Sequence, residues 1–345
     1  MLFPNDSLEK TVSAGRARRS SPSMLIRRSQ ARHGSIFPAA FNALAAIPDA
    51  LSFHADHQRR HPKSAYATSL RLIAEQWVRA LDALDHLHTE HNFQDKESSA
   101  PALLSEYAEL LFRLNEHPDA CFSALRSLCP STASKPTDFD TQFLAKSKLP
   151  GWKQFQEAVR PYRDEHIGLI VNTLKHRQGE LCSVHFKSLI EFRPGYFLRD
   201  VLPDGALGPS GKLHSNGNTA FSFARDMMLH LWWLFRIGEL LAEAVRTALH
   251  VNHAHSLVAT PVEPGDTKWV EVVRRCGGLK PEFFPDEIVK PYPRILFQPS
   301  PNQVILEFPT SARGHKLLGT TTVVTAFNVD MAHPTNKMPY MAQKQ

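Results

Sequence analysis

The chain lacks a long uncharged apolar run, a CxxC pair and a complete phosphate loop, and each absence narrows what it can be. Its richest apolar run, Met227–Phe235, contains His230 and is closed off by Asp226 and Arg236. A bilayer needs about 20 predominantly apolar residues, so no membrane-spanning helix is expected. The four cysteines, Cys121, Cys129, Cys182 and Cys276, fall into no disulfide or metal framework and read as free, buried thiols of a reduced compartment. The stretch Gly205–Lys212 ends in Gly-Lys. It has Ala206 where a phosphate loop needs glycine and Leu213 where it needs serine or threonine, so a surface turn is expected.

Acidic residues are missing from one place in particular. Residues 10–33 hold Lys10, Arg16, Arg18, Arg19, Arg27, Arg28 and Arg32 and no acid, and these seven charges exceed the net +6 of all 345 residues. The basic balance therefore describes a tail, and the remainder is close to neutral. Such a tail cannot build a core, and residues 1–60 read as a basic, disordered arm. An organellar transit peptide in residues 1–33 and a true start at Met24 are the other readings of it. The absent secretory signal and the unpatterned cysteines favour the cytoplasm.

Beyond the arm, periodicity dominates. Leu70, Ile73, Trp77, Leu81, Leu84 and His88 recur at helical spacing within 64–91, and further helices are expected over 101–115 and 119–128. A linker rich in Ser, Thr, Lys and Pro covers 131–150, separating an N-terminal helical segment (61–130) from a central helical core (151–255). That core contains an amphipathic helix over 151–179, a short extended stretch over 181–202 and the most apolar helix, 219–250. Residues 256–345 are rich in proline and carry short β-like runs at 294–297, 303–308 and 317–327. The fold class expected is a helical bundle with a smaller β-containing C-terminal portion, α+β overall.

Histidine is abundant, with 18 residues, yet its clusters (His54, His57 and His61; His250, His253 and His255) sit in a polar Gln/Arg-rich stretch and just past a helix end, and read as solvated surface. No metal site and no cofactor are expected. More informative are two segments pairing arginine with histidine: Arg160 to His166, and Arg225 to His230 with Asp226 directly after the arginine. Arg163 and His166 fall near the apolar side of their helix, where a cation needs a partner or a task. Opposite them Asn172, Lys175 and His176 form a polar cluster able to hold an anion or phosphate.

Arginine and histidine four to six residues apart, on helices of a bundle, resemble the HEPN superfamily of helical nucleotide-binding and ribonuclease domains. The resemblance covers residues 60–250. It implies metal-independent RNA cleavage, with Arg160, His166, Arg225 and His230 as catalytic groups: histidine as general base and arginine stabilising charge at phosphorus. It also implies a homodimer, here through the helix around Trp232 and Trp233, and RNA or another phosphate-bearing ligand as partner. The alternative is a non-catalytic helical interaction or scaffold protein, in which that helix is core and the basic positions are surface.

Overall fold

The three-and-four spacing of Leu70, Ile73, Trp77, Leu81 and Leu84 has its physical consequence in the computed structural model, where all five lie on the buried side of α2 (Pro62–Phe93). The structure describes residues 28–93, 100–131, 139–176, 179–187, 192–214, 217–258, 266–287, 290, 292–297, 303–309, 322–326 and 336–340. Against α2 packs α3 (Ala100–Arg126), burying Leu103, Leu110, Leu111 and Leu114. Each large apolar side chain so removed from water contributes about 1.5–3 kcal/mol.

Where the sequence reading divides this region into helices over 101–115 and 119–128, α3 runs unbroken through Pro118. Proline forfeits one backbone hydrogen bond. Burial on both sides of it, at Leu114, Cys121, Phe122 and Leu125, outweighs that loss. His117 adds a bond from its Nδ1 to Ser69 Oγ of α2 at 2.9 Å.

Two of the expected chain divisions also move. Of the arm expected over residues 1–60, residues 1–27 lie outside the described residues, and Ile36, Phe37, Ala40, Phe41, Leu44 and Ile47 all join the main core. They lie in helix α1 (Ala39–Ala45) and the turns beside it, after strand β1 (Arg28–Ser35). Small alanines let α1 lie close on a later helix, where a Cβ added at Gly238 would stand 2.5 Å from Pro38 Cβ. The expected linker over 131–150 holds helix α4 (Asp140–Ser147), with Phe143 and Leu144 buried. Asp140 accepts from Arg59 at 2.8 Å and from Arg126 at 3.1 Å; Arg126 is 3% exposed and lies over the Phe143 ring. Residues 132–138 of that linker lie outside the described residues.

Next come α5 (Trp152–Tyr162), one turn of π-helix (Arg163–Ile167) and α6 (Gly168–His176). The extended stretch forms an antiparallel pair, β2 (Glu180–Lys187) with β3 (Phe192–Val201), and Pro194-Gly195 lies within β3, opposite His185 and Val184. Strand β4 (Leu207–Pro209) and β5 (Phe221–Ser222) pair with β3, and the Gly205–Lys212 stretch is a turn and edge strand there.

Helix α7 (Phe223–His253) follows and buries most of its side chains, and α8 (Thr267–Gly277) packs Trp269, Val272, Val273 and Cys276 into the same core. Asp266 caps α8 by accepting from Lys268 N and Trp269 N. The sequence reading places no helix there; its short apolar stripe is flanked by the proline-bearing stretches around Pro264 and Pro281.

The late strands do not form a separate unit. β6 (Arg294–Phe297) and β7 (Gln303–Pro309) pair antiparallel, and β7 pairs with β1, giving the order β1-β7-β6. β8 (Thr322–Ala326) pairs with β2 in the second sheet, order β4-β3-β2-β8. The protein is mainly helical with a smaller antiparallel β portion. Among the described residues no helix is long and apolar enough to cross a membrane.

Candidate functional site

A buried aspartate needs partners to offset its desolvation, and Asp226 has several. It sits in the first turn of α7, whose N-terminal end favours a negative charge, at 2% exposure. Helical spacing of four places His230 on the same face, with its Nε2 at 3.2 Å from Asp226 Oδ2. Two phenols converge on that oxygen: Tyr107 of α3 and Tyr196 of β3 each donate to Oδ2 at 2.6 Å. His166, from the π-turn, brings its Nε2 to 3.7 Å from Oδ1. Tyr162, at the end of α5, bonds His230 Nδ1 at 3.0 Å and stacks on Trp233. Every segment around the centre is held in place by core packing, so the polar groups meet without being free to turn away.

The π-turn is what delivers His166. An extra residue in one turn shifts the helical register, and Tyr162, His166 and Ile167 all become buried in succession around it. Gly168 makes the turn feasible: a Cβ there would lie 2.2 Å from the Arg163 carbonyl oxygen.

Charge in this centre follows from burial and proximity. Burial pushes the Asp226 carboxyl up, but the attraction of His230 and His166 outweighs it and holds the group well below the usual carboxylate range. Burial pulls His166 down against the opposing pull of Asp226, which favours its neutral form. Tyr107, Tyr162 and Tyr196 are raised, first by burial and then by the negative charge of Asp226, so all three remain phenols. The Nε2 atoms of both histidines are buried without a hydrogen-bond partner. His166, Asp226 and His230 each offer one ligand atom, and these atoms lie within 4.8 Å of one another. No spacing in the sequence announced this set, because its members come from two segments sixty residues apart.

The other residues singled out from sequence go elsewhere. Arg160 points outward, with a side chain 67% exposed and 3.5 Å from Glu165. Arg163 bonds Asp119 at 3.3 Å and lies over the Phe122 ring. Arg225 is buried at 6% exposure; His230 lies five positions further on, so the two leave the helix roughly 140° apart. Its charge partly offsets burial at Glu287, whose pKa is nonetheless pushed up to about 7. Glu287 accepts from Ser222 N and Phe284 N, which ties the residues after α8 to the start of α7. Asn172, Lys175 and His176 are all exposed on α6, with the Lys175 ammonium over the Phe112 ring. Trp233 is 4% exposed and Trp232 packs against the core, so the apolar side of α7 is used largely within the chain.

Sequence reasoning found His166 and His230 but missed the hub that joins them. In the sequence Asp226 stands out as the residue after an arginine and as the charge that closes off an apolar run. Tyr162 was counted among apolar positions, and Tyr107 and Tyr196 drew no attention as hydrogen-bond donors. The available signal was an Asp and a His four residues apart on the most apolar helix of the chain. Compared with known proteins, the chain matches no family model, no curated sequence and no solved structure.

Proposed function

We propose that the chain is a non-catalytic helical interaction protein whose two arginine–histidine segments build its interior. The observation that carries this reading is the separation of each arginine from the histidine it was paired with. His230 has 0% exposure and cannot meet a phosphodiester, while Arg160 faces solvent and Arg225 leaves α7 on another side. A general base must come within about 3 Å of the proton it removes, and a sealed imidazole cannot. Positions open to a phosphate-bearing partner include Asn172, Lys175 and His176 on the outer side of α6 and Arg160 on α5.

The second reading is the HEPN-like, metal-independent ribonuclease, and one feature favours it. The two motif segments do meet, with the His166 and His230 rings 5.6 Å apart, and His166 keeps 9% of its surface. An RNA-degradation assay paired with a growth-toxicity assay separates the two, using wild type beside His166→Ala and His230→Ala. The interaction reading expects no cleavage above background in any of the three. Cleavage by the wild type that is lost in a variant with unchanged melting temperature would overturn it.

A further inference from the structure

We propose that His166, Asp226 and His230 bind one divalent transition metal of the zinc class, clamping the π-turn onto α7. The first argument is the pair of unpartnered nitrogens. His166 Nε2 and His230 Nε2 are buried with no hydrogen bond, although a carboxylate stands 3.7 and 3.2 Å away. Leaving buried polar atoms unsatisfied is costly. A cation placed among the three groups uses both lone pairs.

The second argument is the surrounding support. Histidine ligands of metals characteristically hold their other ring nitrogen in a hydrogen bond, which fixes tautomer and ring orientation. His230 does this through Tyr162 at 3.0 Å. Asp226 is divided in the same sense: Tyr107 and Tyr196 occupy Oδ2, which leaves Oδ1 directed toward His166. Two phenols and a third beside His230 thus orient the donors from three different elements.

The third argument is chemical fit. Two imidazoles and one carboxylate form a donor set suited to zinc or its neighbours, whereas calcium and magnesium favour all-oxygen shells. Tetrahedral zinc with bonds near 2.1 Å sets its ligand atoms roughly 3.4 Å apart. His166 Nε2 lies 3.7 Å from Asp226 Oδ1 and His230 Nε2 lies 3.2 Å from Oδ2, and one donor atom from each of the three residues falls within 4.8 Å of the others, so a small inward shift of the side chains brings the set to that spacing. A metal bound here is enclosed by packed side chains, so its role is to hold the fold together.

The test uses the full chain, stripped with a chelator and titrated with Co2+ and Zn2+. Expected are a visible Co2+ spectrum saturating at one equivalent and, at 100-fold excess of Zn2+ over its dissociation constant, a melting midpoint raised by about 4 °C. His166→Gln and His230→Gln lose both effects. Tyr162→Phe retains them with affinity weakened about 10–100-fold. A His250→Ala/His253→Ala control, which removes exposed imidazoles, retains both. No uptake by the wild type, uptake unchanged in His166→Gln and His230→Gln, or uptake lost in the control would each refute the site. Should the site variants fail to fold, X-ray absorption of the zinc-loaded wild type decides: two imidazoles in the shell support the proposal, and an all-oxygen shell overturns it.

Discussion

Three buried residues outside the Asp226 centre, His117, His214 and Glu287, shape the pH response of this protein. Burial drives His117 down to about 4 and His214 to about 3, so both are neutral in the fold. The unfolded chain, with histidines near 6.5, takes up protons first as pH falls. Stability from these two is therefore complete above about pH 6.5 and is lost between there and their folded values. For His117 the loss is on the order of 3 kcal/mol. Glu287 acts with the opposite sign: its pKa is raised to about 7, so the fold holds a proton that the unfolded chain has released. Its contribution is present below about pH 4.5 and is lost as pH rises toward 7. Urea unfolding between pH 4.5 and 6.5 should thus show opposed slopes, histidine winning. His117→Gln should flatten the rise in stability with pH, and Glu287→Gln should steepen it.

At the scale of elements, what was legible in the sequence was whatever carries its own period. Helices α2 and α7 have stripes long enough to be read without neighbours, and the β6–β7 pairing follows from two short apolar runs. Pro118 looked like a boundary because proline usually is one; only the burial of Cys121 and Phe122 beyond it keeps α3 continuous. Helix α8 was missed because Trp269, Val272, Val273 and Cys276 acquire meaning only against α2 and α7. The π-turn was equally hidden, since its register shift is a tertiary result, and it decides where His166 points. It also yields a prediction. Gly168→Ala pushes a methyl into the Arg163 carbonyl at 2.2 Å and should cost about 1–3 kcal/mol. Gly211→Ala meets nothing within 4 Å and should be neutral within about 0.5 kcal/mol. Denaturant midpoints of the two variants check this.

Across the whole molecule, chain ends and chain middle are interleaved. β1 pairs with β7, β8 with β2, and Trp269 Nε1 donates to the Ile36 carbonyl at 2.8 Å. The Asp226 centre draws on α3, α5, the π-turn, β3 and α7. If it is an interior hub, its removal must be felt by the entire fold. A site evolved for catalysis behaves otherwise, because functional residues commonly cost stability and their loss is neutral or stabilising. The direct measurement is the unfolding free energy of Asp226→Ala against wild type at pH 7. A loss of about 3–5 kcal/mol is expected, from two buried phenols left without their acceptor and two buried imidazoles left without the charge beside them. A change within about 0.5 kcal/mol, accompanied by loss of an RNA-cleaving activity, would contradict it.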